Sequence, residues 1–307
     1  MSREVLLLAY GGPDTLDDVE PYLLDVRGGR KTPPHLVAEI TERYRLIGGA
    51  SPILARTREQ ATALERRLGL TVRVGMRHWH PYIRQAVEEA EAAGATELVA
   101  IPMSPFYSRM SVGAYTERLR EALPASVEAT LVHSWHLYPP YLAAAAERVR
   151  EAREGWEDAA VVFTAHSLPE RLKNEGDPYD DQLRAAAAAV GRACGIEKFS
   201  FAYQSPGRTP EPWMGPFVED TMRDHARAGA RRFVIVPIGF VCDHVEVLYD
   251  IDVVLAGLAA ELGATMRRAN SLNDSELFVE ALAALVRDAM RQHADASFVR
   301  ERVSASI

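Results

Sequence analysis

The stretch "AAVVFTAHSLPER", residues 159–171, runs from small and apolar residues through Thr164 and Ala165 to His166, and breaks at Pro169. A short apolar run closed by a proline reads as a strand buried on both faces, as strands of a parallel sheet are. His166 then emerges at the carboxyl end of that strand, where open α/β sheets meet their ligands. A histidine in that place can be a base, a metal ligand or a well-satisfied strand-end residue. The local sequence leaves all three open.

Similar runs recur on both sides of this one: "EVLLLAY" (4–10), "TVRVGM" (71–76), "ELVAIPM" (97–103), "ATLVHSW" (129–135), "AVVFTAH" (160–166), "KFSFAYQ" (198–204) and "RFVIVPI" (232–238). Between them lie helix-like segments such as "PYIRQAVEEAEAAG" (81–94) and "PFVEDTMRDHARAG" (216–229), each opening on proline and closing on glycine, as helix termini prefer. Strands alternating with helices predict βαβ units and mostly parallel sheets flanked by helices, an α/β fold.

The chain also matches itself. "GATELVAIPM" (94–103) parallels "GARRFVIVPI" (229–238), and "LLAYGGP" (7–13) parallels "FTAHSLP" (163–169), in the same order in each half. A repeat of that length predicts two related α/β domains facing a cleft, with Tyr10 and His166 at equivalent strand ends. Short strand-turn motifs also resemble one another by chance. The polar stretch "EAREGWEDA" (151–159) places the boundary so that the domains span 1–150 and 151–275. The remaining segment, 276–307, contains the helical pattern "DSELFVEALAALVRDAMRQH" (274–293), which could return to the first domain.

Composition bounds the function. The 307 residues are 48% hydrophobic and 25% charged, an ordinary globular balance, and the net charge of −8 argues against nucleic acid or an anionic membrane surface as the main partner. No apolar stretch approaches the about 18 residues needed to span a bilayer, so no integral membrane segment is expected. "MSREVLLLAYGGP" is too short in its apolar part for a secretory signal. Two cysteines, Cys194 and Cys242, point to a reducing compartment, the cytoplasm, and cannot supply the thiolates of an ordinary iron–sulfur cluster.

Several stretches carry candidate chemistry. In "PIGFVCDHVEVLYDID" (237–252), Asp243, Glu246 and Asp250 would share one face of a helix. Such a ladder is either a solvated acidic face or a site that needs a cation or a proton, and the apolar Val245, Val247 and Leu248 point to a partly buried Glu246. His78 and His80 of "RHWH", and His133 and His136 around Trp135, lack nearby ligands and read as structural. "YQSPGRTPEPWMGP" (203–216) reads as a rigid loop, or as a stiff aromatic wall for a flat apolar ligand. Arg27, Arg30 and Arg43, in "VRGGRK" and "ERYRLIGGASPI", suit carboxylate or phosphate. No phosphate-binding glycine motif is present.

Taken together, "AYGGP", "RYRLIGGASP", "TAHSLPE", "GDPYDDQL", "YQSPGRTPEPWMGP" and "PIGFVCDHVEVLYD" resemble the ferrochelatases, in order and over most of the chain. The chain is most similar to the short bacterial branch that metallates coproporphyrin III. The resemblance implies two Rossmann-like domains clasping a porphyrin, with ferrous iron inserted into the macrocycle to give Fe-coproporphyrin III in haem biosynthesis. Iron and porphyrin are then substrates, and no cofactor is bound permanently. It assigns His166 and Glu246 as the catalytic pair at the metal centre and Tyr10 to the opposite face of the iron. Around the ring it assigns Arg27, Arg43, Tyr44, Ser51 and Tyr115. The family's acidic ladder often continues one turn past Asp250, where this chain has Val254. The pathway's preceding oxidase and following decarboxylase are the expected transient contacts.

The residues fit that chemistry on their own terms. A neutral histidine, with an ordinary pKa of about 6.5, can accept a pyrrole proton or ligate a metal. A carboxylate beside it can polarise the ring, take a second proton or guide the cation. Alternatives are a protoporphyrin ferrochelatase, a cobalt chelatase of tetrapyrrole biosynthesis, or a haem or porphyrin carrier, which would have no use for a histidine–glutamate pair.

Overall fold

The computed structural model describes residues 2–291 and 299–303. It contains two sheets. The strands of the first are β1 (Ser2–Ala9), β2 (Val72–Met76), β3 (Ala95–Pro102), β4 (Glu128–Ser134) and β9 (Val299–Val303), in the order β2-β1-β3-β4-β9. Those of the second are β5 (Ala160–His166), β6 (Ser200–Gln204), β7 (Arg232–Val236) and β8 (Thr265–Arg268), in the order β6-β5-β7-β8. Every pairing is parallel except β4 with β9.

The two orders are the same pattern, with β5, β6, β7 and β8 standing where β1, β2, β3 and β4 stand. Both repeats seen in the sequence fall on matching strands, β1 with β5 and β3 with β7. The parallel pairings explain the unbroken apolar runs, because helices cover both faces of such sheets. Val5 to Leu8 in β1 and Val161 to Ala165 in β5 are all buried. In the first unit, Leu6, Leu8, Leu98 and Ala100 pack with Ile83 and Val87 of the helix Ile83–Ala92 and with Leu119. In the second, Val162, Phe233 and Ile235 pack with Val218 and Met222 of the helix Val218–Arg227.

The first compact unit runs up to Trp135, takes in Cys242–Val245, and resumes at Asn273; the second comprises His136–Val241 and Glu246–Leu272. The first break therefore falls earlier than the polar stretch 151–159. That stretch ends the helix Pro139–Arg153, which belongs with the second unit: Tyr141 donates from its hydroxyl to the Ile238 carbonyl at 3.3 Å. The helix Glu276–Met290 belongs with the first unit, where Trp135 stacks on Phe278 at 6.2 Å. The 276–307 segment is not all helix, since "VRERV" forms β9; residues 292–298 and 304–307, expected to continue the segment, lie outside the described residues.

Gly239 packs directly against the end of β5. Its N–H donates to the Thr164 carbonyl at 3.1 Å, and a Cβ built on it would lie 2.6 Å from Ala165 Cβ and 2.9 Å from Ala165 Cα. A side chain there must push the end of β5 aside. Gly239→Ala is expected to lower stability by about 1–3 kcal/mol through overpacking, read as a shift in the urea midpoint without a change in slope. An unchanged midpoint would show that the strand end yields without cost.

Candidate active site

His166 is the last residue of β5 and pairs in register with Gln204, the last of β6. Three contacts fix the strand end around it. The Tyr179 hydroxyl donates to the His166 carbonyl at 3.1 Å, Ser167 N–H donates to the Gln204 carbonyl at 2.8 Å, and the buried Ser167 hydroxyl donates to the Met214 carbonyl at 2.7 Å. Met214 lies in the proline-rich loop, whose Trp213 ring covers Gly207 so closely that no Cβ would fit there. That loop braces "HSLP", with Met214 N–H also donating to the Leu168 carbonyl at 2.9 Å.

Beyond β7 the chain forms the four-residue helix Val245–Leu248, which carries Glu246. Glu246 Oε2 lies 2.9 Å from His166 Nδ1, and the two side chains are 29% and 31% exposed. The neutral tautomer that donates Nδ1–H to this carboxylate carries its lone pair on Nε2, ready for a proton or a metal. Burial opposes a charge on His166, but Glu246, with help from Asp250, outweighs it and raises the pKa above the ordinary histidine value. The pair is thus a base whose conjugate acid has its counter-charge already in place.

The expected acidic ladder is not a single helix face. Asp243 precedes the helix and is held by Asn273, receiving from its side-chain nitrogen at 2.9 Å while donating its own N–H to the Asn273 carboxamide oxygen at 3.0 Å. Asp250 opens a π-helical turn, Asp250–Leu255, and accepts from the Ser205 hydroxyl. Each carboxylate has found a different partner, which relieves the mutual repulsion that a shared face would impose. Val254, in the same turn, is exposed. Among the described residues no three His, Cys, Asp or Glu side chains cluster as a metal site by themselves.

The other sequence-derived candidates lie in the first unit. Tyr10 follows β1, 38% exposed, with its ring centroid 4.7 Å from that of His78 and the Arg77 guanidinium 5.9 Å from its ring centre. His78 is indeed structural in its contacts: Nδ1 lies 2.7 Å from Asp25, whose other oxygen accepts from the Tyr82 hydroxyl at 3.2 Å. Burial keeps the His78 pKa below the ordinary value despite Asp25. Ser51 is held by its N–H on the Pro13 carbonyl at 2.8 Å, and its hydroxyl occupies the place a Cβ on Gly12 would need. Arg27 lies on an exposed turn, where Arg27 and Arg30 each donate to the other's carbonyl, and Arg43 pairs with Glu39 at 2.9 Å. Tyr44 and Tyr115 are largely buried: Tyr44 packs with Val19, Tyr22 and Leu23, and burial raises the phenol pKa of Tyr115. Sequence reasoning did not single out Tyr179, Gln204 or Asp25. Tyr179 and Gln204 stood inside quoted motifs, but no spacing rule links them to partners 13 and 42 residues away.

The family model for ferrochelatase matches residues 3–290. The chain is 41% identical over 297 residues to a ferrochelatase of Deinococcus radiodurans, covering 92% of this chain and 94% of that one. It is 37% identical over 304 residues to a coproporphyrin III ferrochelatase of Bacillus subtilis, covering 93% and 98%. Among solved structures, SirB from Bacillus subtilis with Fe3+ shares the fold at a TM-score of 0.62 and 12% identity, covering 94% of this chain and 96% of that one. The fold, the histidine–glutamate pair at the sheet edge and these relatives define a metal chelatase. The chain belongs to the ferrochelatase family.

The pH response of the pair follows from its geometry. Because the folded His166 pKa is raised, its ion pair contributes stability below the unfolded value of about 6.5, and that contribution is lost as pH rises through the folded midpoint. Glu246→Gln removes the largest raising charge while burial remains, so the His166 midpoint is expected to fall. Ring-carbon NMR titration of both proteins checks it; an unmoved midpoint would mean that Glu246 does not hold the imidazolium.

Proposed function

We propose that this protein inserts ferrous iron into coproporphyrin III. The observation that carries the insertion chemistry is the 2.9 Å contact between His166 Nδ1 and Glu246 at the carboxyl edge of a parallel sheet. Metallation replaces two pyrrole protons with Fe²⁺, so the protein must receive protons one at a time. His166 Nε2 takes the first, and Glu246 stabilises the imidazolium formed. The proton then passes to solvent, which the partial exposure of both side chains allows, and the pair is reset for the second. A carrier would need neither the base nor its counter-charge.

Tyr10 supports the coproporphyrin branch. Its phenol stands at the strand end equivalent to that of His166, and a phenol oxygen can ligate ferric haem iron. Four propionates call for more polar partners than two, and Arg27, Arg43 and Ser51, with the hydroxyls of Tyr44 and Tyr115, are the proposed partners. Each charge-assisted hydrogen bond of this kind is worth about 1.5–3 kcal/mol. The Bacillus subtilis relative carries the coproporphyrin III name over 98% of its length. No helix among the described residues is long and apolar enough to cross a membrane.

Purified protein mixed anaerobically with Fe²⁺ should metallate coproporphyrin III faster than protoporphyrin IX at equal concentration, followed by absorbance. The reverse preference sinks the substrate assignment and spares the chelatase reading. His166→Ala should abolish insertion while porphyrin affinity, measured by fluorescence quenching, stays within about threefold, because other groups carry binding. Near-normal turnover would remove His166 from the mechanism. Tyr10→Phe should still insert iron but give a ferric product with an altered absorption spectrum.

A further inference from the structure

Gln204 closes β6 directly opposite His166, and only 1% of its surface is exposed. Its backbone carbonyl accepts from Ser167 N–H at 2.8 Å, fixing the residue that follows His166. Its side-chain Nε2 donates to the backbone carbonyl of Glu246 at 2.7 Å. The amide can face Glu246 in this sense alone, because a carbonyl only accepts. One buried residue thus grips both the strand end that carries His166 and the short helix that carries Glu246.

The helix needs such a grip. Val245–Leu248 is a single turn, too short to hold itself, and its carbonyls need partners from outside. Gln204 supplies one at the residue whose side chain matters. The arrangement also has a cost: Gln204 Oε1 is buried with no hydrogen-bond partner among the described residues. A leucine or methionine would fill the space without that penalty. Unsatisfied buried groups are rare in folded proteins, and local rules tend to be broken where the position serves a site.

We propose that Gln204 is a positioning residue for metal insertion: by holding the Glu246 carbonyl it sets the carboxylate on His166 Nδ1 and so aims Nε2. The proposal rests on the insertion reading of the pair, and Gln204 itself touches neither metal nor porphyrin in it.

Gln204→Met keeps length and burial and removes the donor. In the metal-free protein, the His166 Nδ1 proton shared with Glu246 gives a downfield NMR resonance, which should weaken or move in the variant. In insertion assays, kcat should fall about 10–100-fold while the KM for porphyrin stays within about twofold. Combined with Glu246→Gln, the change should add no further loss, because Gln204 acts through that carboxylate. A purely structural residue would lower the melting temperature and leave the turnover of folded protein unchanged. Gln204→Asn, which keeps the amide but falls a methylene short, carries the same expectation if the methionine variant does not fold. An unmoved resonance with normal kcat, or additive losses in the double variant, overturns the proposal. If the unaltered protein inserts no iron, the functional reading fails, and the resonance still decides whether Gln204 sets the pair.

Discussion

Two groups that can both carry charge, His166 and Glu246, meet at 2.9 Å with about a third of each side chain exposed, and the surrounding structure follows from keeping them there. Desolvating a carboxylate and an imidazolium is costly, and their attraction repays that cost only when the geometry is held and the remaining polar atoms are satisfied. The holding groups come from two segments, the start of the helix Tyr179–Ala193 and the stretch 203–216. Tyr179 fixes the His166 carbonyl, the proline-rich loop fixes Ser167, Gln204 fixes Glu246, and Ser205 fixes Asp250. Ser205 does so from a left-handed backbone at φ 55°, a conformation a non-glycine residue adopts only when its surroundings enforce it.

Rigid elements make this possible. β5 is the penultimate strand of its sheet and lies between β6 and β7, so its end cannot drift without breaking two ladders. Side chains projected from such strand ends are placed more accurately than side chains on free loops. The first sheet repeats the plan, with β1 between β2 and β3 and Tyr10 one residue beyond its end. There the supports are different: His78, itself held by Asp25, lies beside the tyrosine, and the Ser51 hydroxyl fills the space over Gly12. A single α/β plan, used twice, presents a base at one strand end and a phenol at the other.

Much of this was legible in the chain. β5 begins and ends at the residues its apolar run marks, and β1 to β4, β6 and β7 lie within a few residues of theirs, because burial on both faces of a parallel strand leaves a local signature. The helix Val218–Arg227 begins two residues after Pro216 and ends two before Gly229 for equally local reasons. β8 and β9 were not legible. "TMRR" and "VRERV" are short and charged, as edge strands are, and become strands only through the ladder partner beside them. The burial of Tyr44 and Tyr115 was not legible either, because it depends on which apolar neighbours the fold brings around them.

What the sequence by itself determined is therefore everything that depends on near neighbours: the alternation of strands and helices, the repeat, and the exit of His166 at a sheet's carboxyl edge. Spacing along the acidic run does not say which carboxylate meets that histidine; the resemblance pointed to Glu246, and tertiary structure makes the contact. Asp243, Glu246 and Asp250 share a helical spacing, yet one is held by Asn273, one by His166 and one by Ser205. Glu246 reaches His166 across 80 residues, and Gln204 reaches Glu246 across 42. Hydrogen bonds of that span are set by strand order and register, which no period in the sequence encodes.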